Sequence, residues 1–524
     1  MFLRSVATVG GYTLASRVLG FIRDILIAAF LGAGPIADAF LVALRLPNLF
    51  RRLFAEGAFN AAFVPVFSGV LTDRGPRMAL AFAENVLSLM FVAMTLITIA
   101  AELAMPELVF GLAPGLADKE GGIDAAVEMA AITFPYLWLI TLASLLGAVL
   151  NALGRFAAAA AAPCLLNLFM IGGLVFARDA LETPGHVLSV AVAFAGIAQL
   201  AMMAWAVERA GYSLRLVLPR FTPDSVRRLK LMGPGALSAG AMQINLLIGT
   251  LIASLLPTGA ITYLYFADRI YQLPLGVVGV ATGTALLPRL SASIKAGRLD
   301  DARIALNRAI ELSLFLTLPA AAALLAIPIL IVSILLERGE FDSQDAVATG
   351  RVLAVYAAGL PAFVLVKVLS PGFFAHEDTL TPLRIALVAV GANVVLSLIL
   401  YKPFGAMGLA AATSLASWIN TGLLALILFR RGALVPDREL LSRVPKALAA
   451  CVLMGAAVYA GADFAGSLVA KGSLAEIAVF SGLCFSGAVS YFAVAWWIGA
   501  ADKGAIAALL QRPLDRIRRR RDKP

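Results

Sequence analysis

Charged residues are scarce in this sequence. They make up 14% of the 524 residues, whereas soluble proteins carry about 25%. Hydrophobic residues make up 61%, and the mean hydropathy is +0.91. The apolar runs last for about 18 to 28 residues, which is long enough for a helix to cross the roughly 30 Å hydrocarbon core of a bilayer. The composition therefore excludes a soluble domain and predicts an all-α polytopic membrane protein.

Cysteine and histidine are also rare. The three cysteines, Cys164, Cys451 and Cys484, lie inside apolar runs, which argues against a disulfide framework. The two histidines, His186 and His376, fall in predicted short connections, and no cysteine–histidine set has metal-ligand spacing. These absences disfavour a membrane enzyme that uses acid–base chemistry. We therefore expect no catalytic residues, no metal site and no cofactor, and the sequence does not identify a coupling ion.

Apolar segments separated by turn signals predict about fourteen transmembrane helices. Connections are expected near residues 72–78 and 401–406. The second helix, over 36–71, is too long for one straight span, and we expect it to bend or break at Pro47, Gly57 and Pro65.

The basic residues are distributed asymmetrically between the connections. If the N-terminus is cytoplasmic and the spans alternate, 28 of the 42 basic residues fall on the cytoplasmic side and 5 on the other side. This distribution follows the positive-inside rule and predicts that both termini are cytoplasmic. The basic tail is expected to lie against anionic lipid headgroups, so the net charge of +10 does not indicate nucleic acid.

A weak repeat relates two parts of the chain. The segment 37–68 reads Ala-Asp, then Leu-Pro, then a proline-serine ending, and 267–291 repeats this order. Transporters often bind substrate between two such halves. We therefore predict two pseudo-symmetric lobes of six helices around a central cavity, with two further helices. The predicted domains are an N-terminal lobe over 1–210, a C-terminal lobe over 211–435, the added helix pair over 436–500 and the tail over 501–524.

Nine basic residues remain inside the predicted spans. Arg17 and Arg23 lie near the midplane, too deep for their side chains to reach an interface. Ionisable residues at that depth usually face a bundle interior or a water-filled cavity. Reaching an interface accounts for Arg308 and Arg351, which lie near helix ends. The others are Arg45, Arg51, Arg52, Arg269 and Lys367.

The set expected to line a cavity is net cationic. The acids in the same helices are fewer: Asp24, Asp38, Glu56 and Asp268. Asp24 follows Arg17 by seven residues and shares its helical face. A cationic cavity favours an anionic ligand, and arginine suits bidentate recognition of phosphate. The residues therefore predict a phosphate or diphosphate ligand, with the alternative that the charged side chains only connect helices.

Longer motifs carry a resemblance to a known family. The segment 16–67, which begins SRVLGFIRDILIAAF, closely resembles the N-terminal signature of the MurJ/MviN family of bacterial lipid II flippases. APGLAD (113–118), FADRIYQLPLGVVGVATGTALLPRLS (266–291) and VKVLSPGFFAHEDTLTP (366–382) are also similar to that family. The resemblance covers nearly the whole chain. It implies membership of the multidrug/oligosaccharidyl-lipid/polysaccharide exporter superfamily, which works by alternating access.

The resemblance implies that the substrate is lipid II, an undecaprenyl diphosphate that carries the disaccharide-pentapeptide unit of peptidoglycan. The chain would move it from the cytoplasmic to the outer leaflet of the inner membrane for cell-wall synthesis. The residues assigned to substrate binding are Arg17, Arg23, Arg45, Arg51, Arg52 and Arg269. The residues assigned to gating or charge pairing are Asp24, Asp38, Glu56, Asp268, Gln272 and Lys367. The helix pair in 436–500 would provide the groove for the lipid tail.

Two family features differ here. Gln272 stands where the family often has a glutamate. The sodium site that some members hold is not expected, because 231–256 and 385–400 contain no acid.

Two other functions stay open on the residues alone. A flippase for another undecaprenyl-diphosphate-linked glycan would need the same arginines, because the diphosphate is shared. A cation or drug antiporter of the same superfamily would be expected to have more acids than bases in its spans. The expected partners are lipid II and membrane lipids, without nucleic acid, and the chain is expected to be a monomer.

Overall fold

The computed structural model describes residues 2–54, 58–219, 245–466 and 474–500. Within these ranges the regular secondary structure is helical, apart from an isolated β-bridge between Arg338 and Phe341. Ten helical segments of the described part are long and apolar enough to cross a membrane. The all-α prediction is therefore confirmed.

The chain forms two compact units. Unit 1 comprises Met1–Tyr263 and Leu336–Asp345, and we call the second of these the returning segment. The helices of unit 1 are α1 Phe2–Leu31, α2 Pro35–Phe54, α3 Ala58–Leu103, α4 Met105–Leu112, α5 Gly122–Thr133, α6 Pro135–Ala152, α7 Ala157–Phe176, α8 Pro184–Arg209 and α9, described over Asn245–Ser254.

Unit 2 comprises Leu264–Leu335 and Ala346–Pro524. The chain passes from unit 1 to unit 2 inside helix α10, Ala260–Pro274, after which a π-helical turn leads into α11. The remaining helices are α11 Ala281–Lys295, α12 Leu299–Ala326, α13 Pro328–Leu336, α14 Ser343–Phe374, α15 Leu380–Arg430, α16 Arg438–Gly466 and α17 Leu474–Trp497.

Two of the longest helices contain a glycine with non-helical dihedral angles. Gly75 in α3 has φ 79° and ψ 174°, and Gly405 in α15 has φ 57° and ψ −135°. A positive φ favours glycine because it has no Cβ atom. A Cβ on Gly408 would lie 2.1 Å from the carbonyl oxygen of Leu400, so the backbone approaches itself closely beside Gly405. Helices α3 and α15 thus each consist of two arms, and both breaks fall where connections were predicted.

Neither Pro47 nor Pro65 breaks its helix. Pro47 and Pro65 lie inside α2 and α3, and the chain leaves α2 only after Phe54. Proline removes one backbone hydrogen bond, which a helix inside a bundle tolerates. Gly57, the third expected break point, lies outside the described residues.

Small residues allow the helices of unit 1 to pack closely. A Cβ on Gly196 of α8 would lie 2.8 Å from the ring of Tyr136 on α6, and one on Gly173 of α7 would lie 3.3 Å from Val187 on α8. Such contacts stabilise helix pairs where the surroundings are as apolar as the side chains. Helix α7 also packs on α1 and therefore fixes the helix that carries the deepest arginines.

In unit 2 an ion-pair network joins α12 to α16. Arg308 contacts Glu311, Asp437 and Glu439, while Arg443 contacts Glu311 at 2.7 Å and Glu439 at 3.2 Å. The side chain of Arg308 is only 29% exposed. Arg308, which was expected to reach the membrane interface, pairs with Glu311 of its own helix and with two acids at the start of α16. These ion pairs lower the cost of its partial burial.

Three connections of unit 2 lie together at one of its ends. They surround a pocket that is lined by Arg303, His376 and Arg431 among others. Hydrogen bonds from Thr381, and then from Arg431, lower the pKa of Asp378 below its ordinary value. These contacts connect the turn between α14 and α15 to the end of α15.

Candidate functional site

Arg23 of α1 is held by two side chains. Its Nε and Nη2 atoms donate to Oδ1 of Asp24 at 3.0 and 2.7 Å, and Nη1 donates to Oδ1 of Asn167 on α7 at 2.9 Å. Asn167 in turn donates from Nδ2 to the carbonyl of Ser16 at 3.0 Å. The side chains of Arg23 and Asp24 are 11% and 7% exposed. The ion pair and the amide bridge lower the cost of burying this charge and connect α1 to α7.

Asp38 lies in the first turn of α2 and is completely buried. Its Oδ2 atom accepts the N–H of Gly259 at 2.8 Å. Its Oδ1 atom accepts the N–H of Thr262 at 3.0 Å and the Thr262 hydroxyl at 2.8 Å. The Nζ atom of Lys119 is 3.5 Å from Oδ2. We call these four residues the Asp38 cluster.

The Asp38 cluster caps the start of α10. The first N–H groups of a helix have no partner inside it and carry partial positive charge, so a carboxylate placed there is stabilised. Asp38 was assigned to gating or charge pairing. In this structure its described cationic partner is Lys119, and its other partners are the N–H and hydroxyl groups at the start of α10.

The returning segment lies at the same end of unit 1. The N–H of Glu340 donates to the carbonyl of Ala29 at 2.9 Å, and the hydroxyl of Tyr263 donates to Oδ1 of Asp345 at 2.9 Å. Gly32 has φ +61°, and a Cβ there would lie 2.5 Å from the carbonyl oxygen of Glu340, so this position requires glycine. Hydrogen bonds therefore connect the end of α1 and the start of α10 to the returning segment.

The motif APGLAD (113–118) positions Lys119. The N–H of Gly115 donates to Oγ of Ser254 at 3.2 Å, and a Cβ on Gly115 would lie 2.2 Å from the Ser254 carbonyl oxygen. This close approach to the end of α9 needs glycine. The Lys119 side chain is 10% exposed, and within the described residues its buried Nζ has no hydrogen-bond acceptor. Its charge is therefore balanced by the ion pair with Asp38.

Two further arginines of unit 1 differ in their surroundings. Nη1 of Arg45 donates to Oγ1 of Thr250 on α9, which connects α2 to α9. Arg17 is exposed and makes no ion pair or side-chain hydrogen bond with the residues that the structure describes. The guanidinium group of arginine carries five N–H donors.

Three predicted residues follow one another along α10. The guanidinium carbon of Arg269 lies 4.9 Å from the ring centroid of Tyr265, a cation–π contact. Gln272 donates from Nε2 to Oδ2 of Asp268, one helical turn away. Gln272 therefore acts as a donor to the neighbouring acid. A glutamate at this position would place a like charge beside Asp268.

The structure gives fewer contacts for the remaining predicted residues. Arg51 and Arg52 belong to the last turn of α2, but their side chains lie outside the described residues, as does all of Glu56. Lys367 of α14 is exposed, and no ion pair joins it to an acid within the described ranges.

Sequence reasoning did not mark Asn167, Thr262 or Lys119. The first two are uncharged polar residues in apolar helices and give no signal in a search for charges. Lys119 is one of the basic residues counted in the predicted connections, where lysine is usually solvated. The sequence signal that could have identified Lys119 is its position directly after the motif APGLAD.

A family model described as "Lipid II flippase MurJ" matches residues 27–480. The chain belongs to the MurJ family of lipid II flippases. The "Probable lipid II flippase MurJ" of Rhizobium meliloti (strain 1021) is 46% identical over 517 residues, covering 97% of this chain and 96% of that protein. The "Lipid II flippase MurJ" of Burkholderia cenocepacia is 32% identical over 501 residues and covers 95% of this chain and 97% of its own length.

Solved structures show the same fold. "Lipid II flippase MurJ, inward closed conformation" matches with a TM-score of 0.78 at 24% identity, covering 93% of this chain and 97% of that one. An inward-facing multidrug resistance MATE family transporter matches with a TM-score of 0.68 at 15% identity, covering 79% and 94%. With its apolar helices and MurJ family membership, the chain is a multi-pass inner-membrane transporter and not an enzyme.

We expect Asn167→Ala to lower the free energy of unfolding by about 1–3 kcal/mol, because Nη1 of buried Arg23 loses its acceptor. Denaturant unfolding of the purified protein in detergent measures this. Ser486→Ala is the control, since this exposed hydroxyl donates to the carbonyl of Leu483 in its own helix. A change of about 0.5 kcal/mol or less is expected there. Equal stability of the two variants would contradict a stabilising role for the bridge.

Proposed function

We propose that this chain flips lipid II from the cytoplasmic to the outer leaflet of the inner membrane by alternating access. The observation that carries the proposal is the MurJ family match over residues 27–480. The chemistry of the described residues agrees with an anionic substrate. Arg17 is exposed on α1 and makes no ion pair with the described residues. Arg45 contacts Thr250, and Arg269 contacts the ring of Tyr265.

In this proposal the arginines bind the diphosphate and headgroup. They are Arg17, Arg23, Arg45, Arg51, Arg52 and Arg269. Asp24 lies against Arg23 at 2.7 Å and offsets part of its charge. Gating and charge pairing are assigned to Asp24, Asp38, Glu56, Asp268, Gln272 and Lys367. The buried position of Asp38 at the start of α10 supports a gating role, since a carboxylate there stabilises one arrangement of that helix.

The proposed membrane layout has fourteen spans in two six-helix lobes and a final pair. The breaks at Gly75 and Gly405 support this count, because each divides one continuous helix into parts of two spans. The lobes would occupy 1–210 and 211–435, the lipid-tail groove 436–500 and the basic tail 501–524. Both termini would be cytoplasmic. The grouping of Arg303 and Arg431 at one end of unit 2 supports that orientation. We propose a monomer as the working form.

The test is depletion of this chain in cells where it is the only candidate flippase. Lipid II at the outer leaflet is measured with an enzyme that cleaves exposed lipid II and cannot cross the membrane. We expect exposure to fall within the depletion time while the precursor accumulates inside, and to recover on re-expression. Unchanged exposure would overturn the proposal. Loss of another diphosphate-linked glycan, or altered resistance to cationic drugs, would then identify the alternative function.

A further inference from the structure

A histidine and two glutamates meet at the start of α8. Glu128 lies on α5, Glu182 lies two residues before the start of α8, and His186 lies in the first turn of α8. One potential ligand atom from each residue lies within 4.8 Å of the others. The Nε2 atom of His186 is 3.1 Å from Oε2 of Glu128. The histidine is 8% exposed, whereas both glutamates are exposed, so the ring is fixed in the protein and the cluster opens to solvent.

The surroundings of His186 orient its ring for a ligand. Oγ1 of Thr183, the N-cap residue of α8, is 2.8 Å from Nδ1 of the ring and also accepts the His186 N–H at 3.4 Å. With the ring proton on Nδ1 donated to Thr183, the lone pair of Nε2 faces Glu128. Histidines that bind metals commonly use their second nitrogen in this way.

The spacing between α5 and α8 is also fixed. A Cβ on Gly185 would lie 2.6 Å from Cε of Met129 and 2.9 Å from Cγ2 of Ile36. The residue beside His186 is therefore packed directly against the residue beside Glu128. This packing holds the imidazole and the first carboxylate at a constant separation, which a preformed site requires.

The charge of the cluster also favours a cation. The carboxylates of Glu128 and Glu182 lie within 4.8 Å of each other and repel. A protonated His186 would supply one positive charge for these two negative charges. A divalent ion neutralises both carboxylates and leaves the imidazole neutral. One nitrogen and two oxygen ligands suit Zn²⁺ or Mn²⁺, with the remaining positions filled by water.

We propose that Glu128, Glu182 and His186 bind one divalent transition-metal ion of this class. The ion bridges α5 to the start of α8 and stabilises this end of unit 1. The site differs from the arginines and the Asp38 cluster, and the inference does not rest on the proposed transport function. Sequence spacing predicted no metal site because Glu128 is far from the other two ligands in the chain. The α5–α8 packing brings it beside them.

The test uses the purified, tag-free full chain, stripped of metal with a chelator. Zn²⁺ alone is titrated against a chromophoric competitor, and thermal unfolding is followed with and without the ion. We expect one Zn²⁺ per chain and a higher unfolding midpoint. Glu182→Gln should weaken binding at least about tenfold, and so should Thr183→Val. Thr183→Ser keeps the hydroxyl and should bind as the unmodified chain does.

Glu107→Gln on α4 is the matched control, because Glu107 is an exposed acid of the same unit outside the cluster. It should leave both the affinity and the midpoint shift unchanged. Glu182 is exposed, so its substitution tests the site without depending on a buried side chain. Absence of stoichiometric binding, or binding that survives Glu182→Gln and Thr183→Val, would overturn the proposal and leave an ion pair between His186 and Glu128.

Discussion

Asp38→Asn is expected to reduce lipid II exposure at the outer leaflet by about 100-fold. The carboxylate is fully buried, accepts three hydrogen bonds and lies 3.5 Å from the buried Nζ of Lys119. Removing one partner of a buried ion pair costs about 3–5 kcal/mol, because the other charge stays behind without compensation. Each 1.4 kcal/mol is a factor of about ten in a population. A conformation stabilised by this cluster would therefore be populated at least about 100-fold less.

Asparagine is the sharper substitution because it keeps the shape of the side chain. Its NH₂ group would face either Lys119 or the N–H groups of Gly259 and Thr262, and each of these is a donor. Exposure of lipid II is measured with the same cleaving enzyme, and the variant's membrane level is checked by immunoblot. The free energy of unfolding in detergent should fall in the same variant.

Lys119→Met tests the same ion pair from its other side and should also reduce transport by more than about tenfold. The double variant should be less impaired than the sum of the two single changes, because neither charge is then left unpaired. Lys402→Met, at an exposed lysine of unit 2, is the control and should transport normally. Additive effects of Asp38→Asn and Lys119→Met would show that the two charges do not act together.

The distribution of charge in the chain was predictable, but the partners of each charge were not. Arginines in apolar helices stand out in any sequence because they are costly there. Asp38, however, is bound by groups 221 and 224 residues away, and two of its donors are backbone N–H groups with no side-chain signature. Asn167 bonds to Arg23 across 144 residues. Such partners depend on which helices are neighbours, and hydropathy does not contain that information.

The helical fold was predictable for a simple reason: long apolar runs have no other arrangement that satisfies their backbone groups in lipid. The breaks in α3 and α15 fall at the connections predicted near 72–78 and 401–406, where Gly75 and Gly405 occupy dihedral angles that favour glycine. The continuation of α2 through Pro47 was not predictable, because packing decides whether a helix tolerates proline. The pairing of Arg308 with α16 was missed for the same reason: it depends on a neighbouring helix.

Arg17→Ala and Arg269→Ala are each expected to reduce lipid II exposure by about 30-fold or more. Removing a charged group that binds an opposite charge away from bulk water costs about 2–5 kcal/mol. Arg17 makes no ion pair or side-chain hydrogen bond with the described residues, so this loss would fall on a ligand contact. Arg17→Lys keeps the charge but loses the planar pair of donors, and an intermediate reduction is expected.

Arg351→Ala is the matched control for both variants. Arg351 is an exposed arginine of α14 that was assigned to the membrane interface and not to the cavity. The Arg351→Ala variant should transport lipid II normally. Normal transport by both Arg17→Ala and Arg269→Ala would contradict the cavity assignment.

The free energy of unfolding distinguishes Arg17→Ala from Asp38→Asn, although both substitutions are expected to abolish most transport. Exposed side chains without partners change the free energy of unfolding by about 0.5 kcal/mol or less, so Arg17→Ala should unfold like the unmodified chain. Asp38→Asn should not, because it leaves Lys119 buried without its counter-charge. Binding of lipid II to the purified protein should then weaken directly in Arg17→Ala. A destabilised Arg17→Ala with unchanged lipid II affinity would instead assign Arg17 to connecting helices.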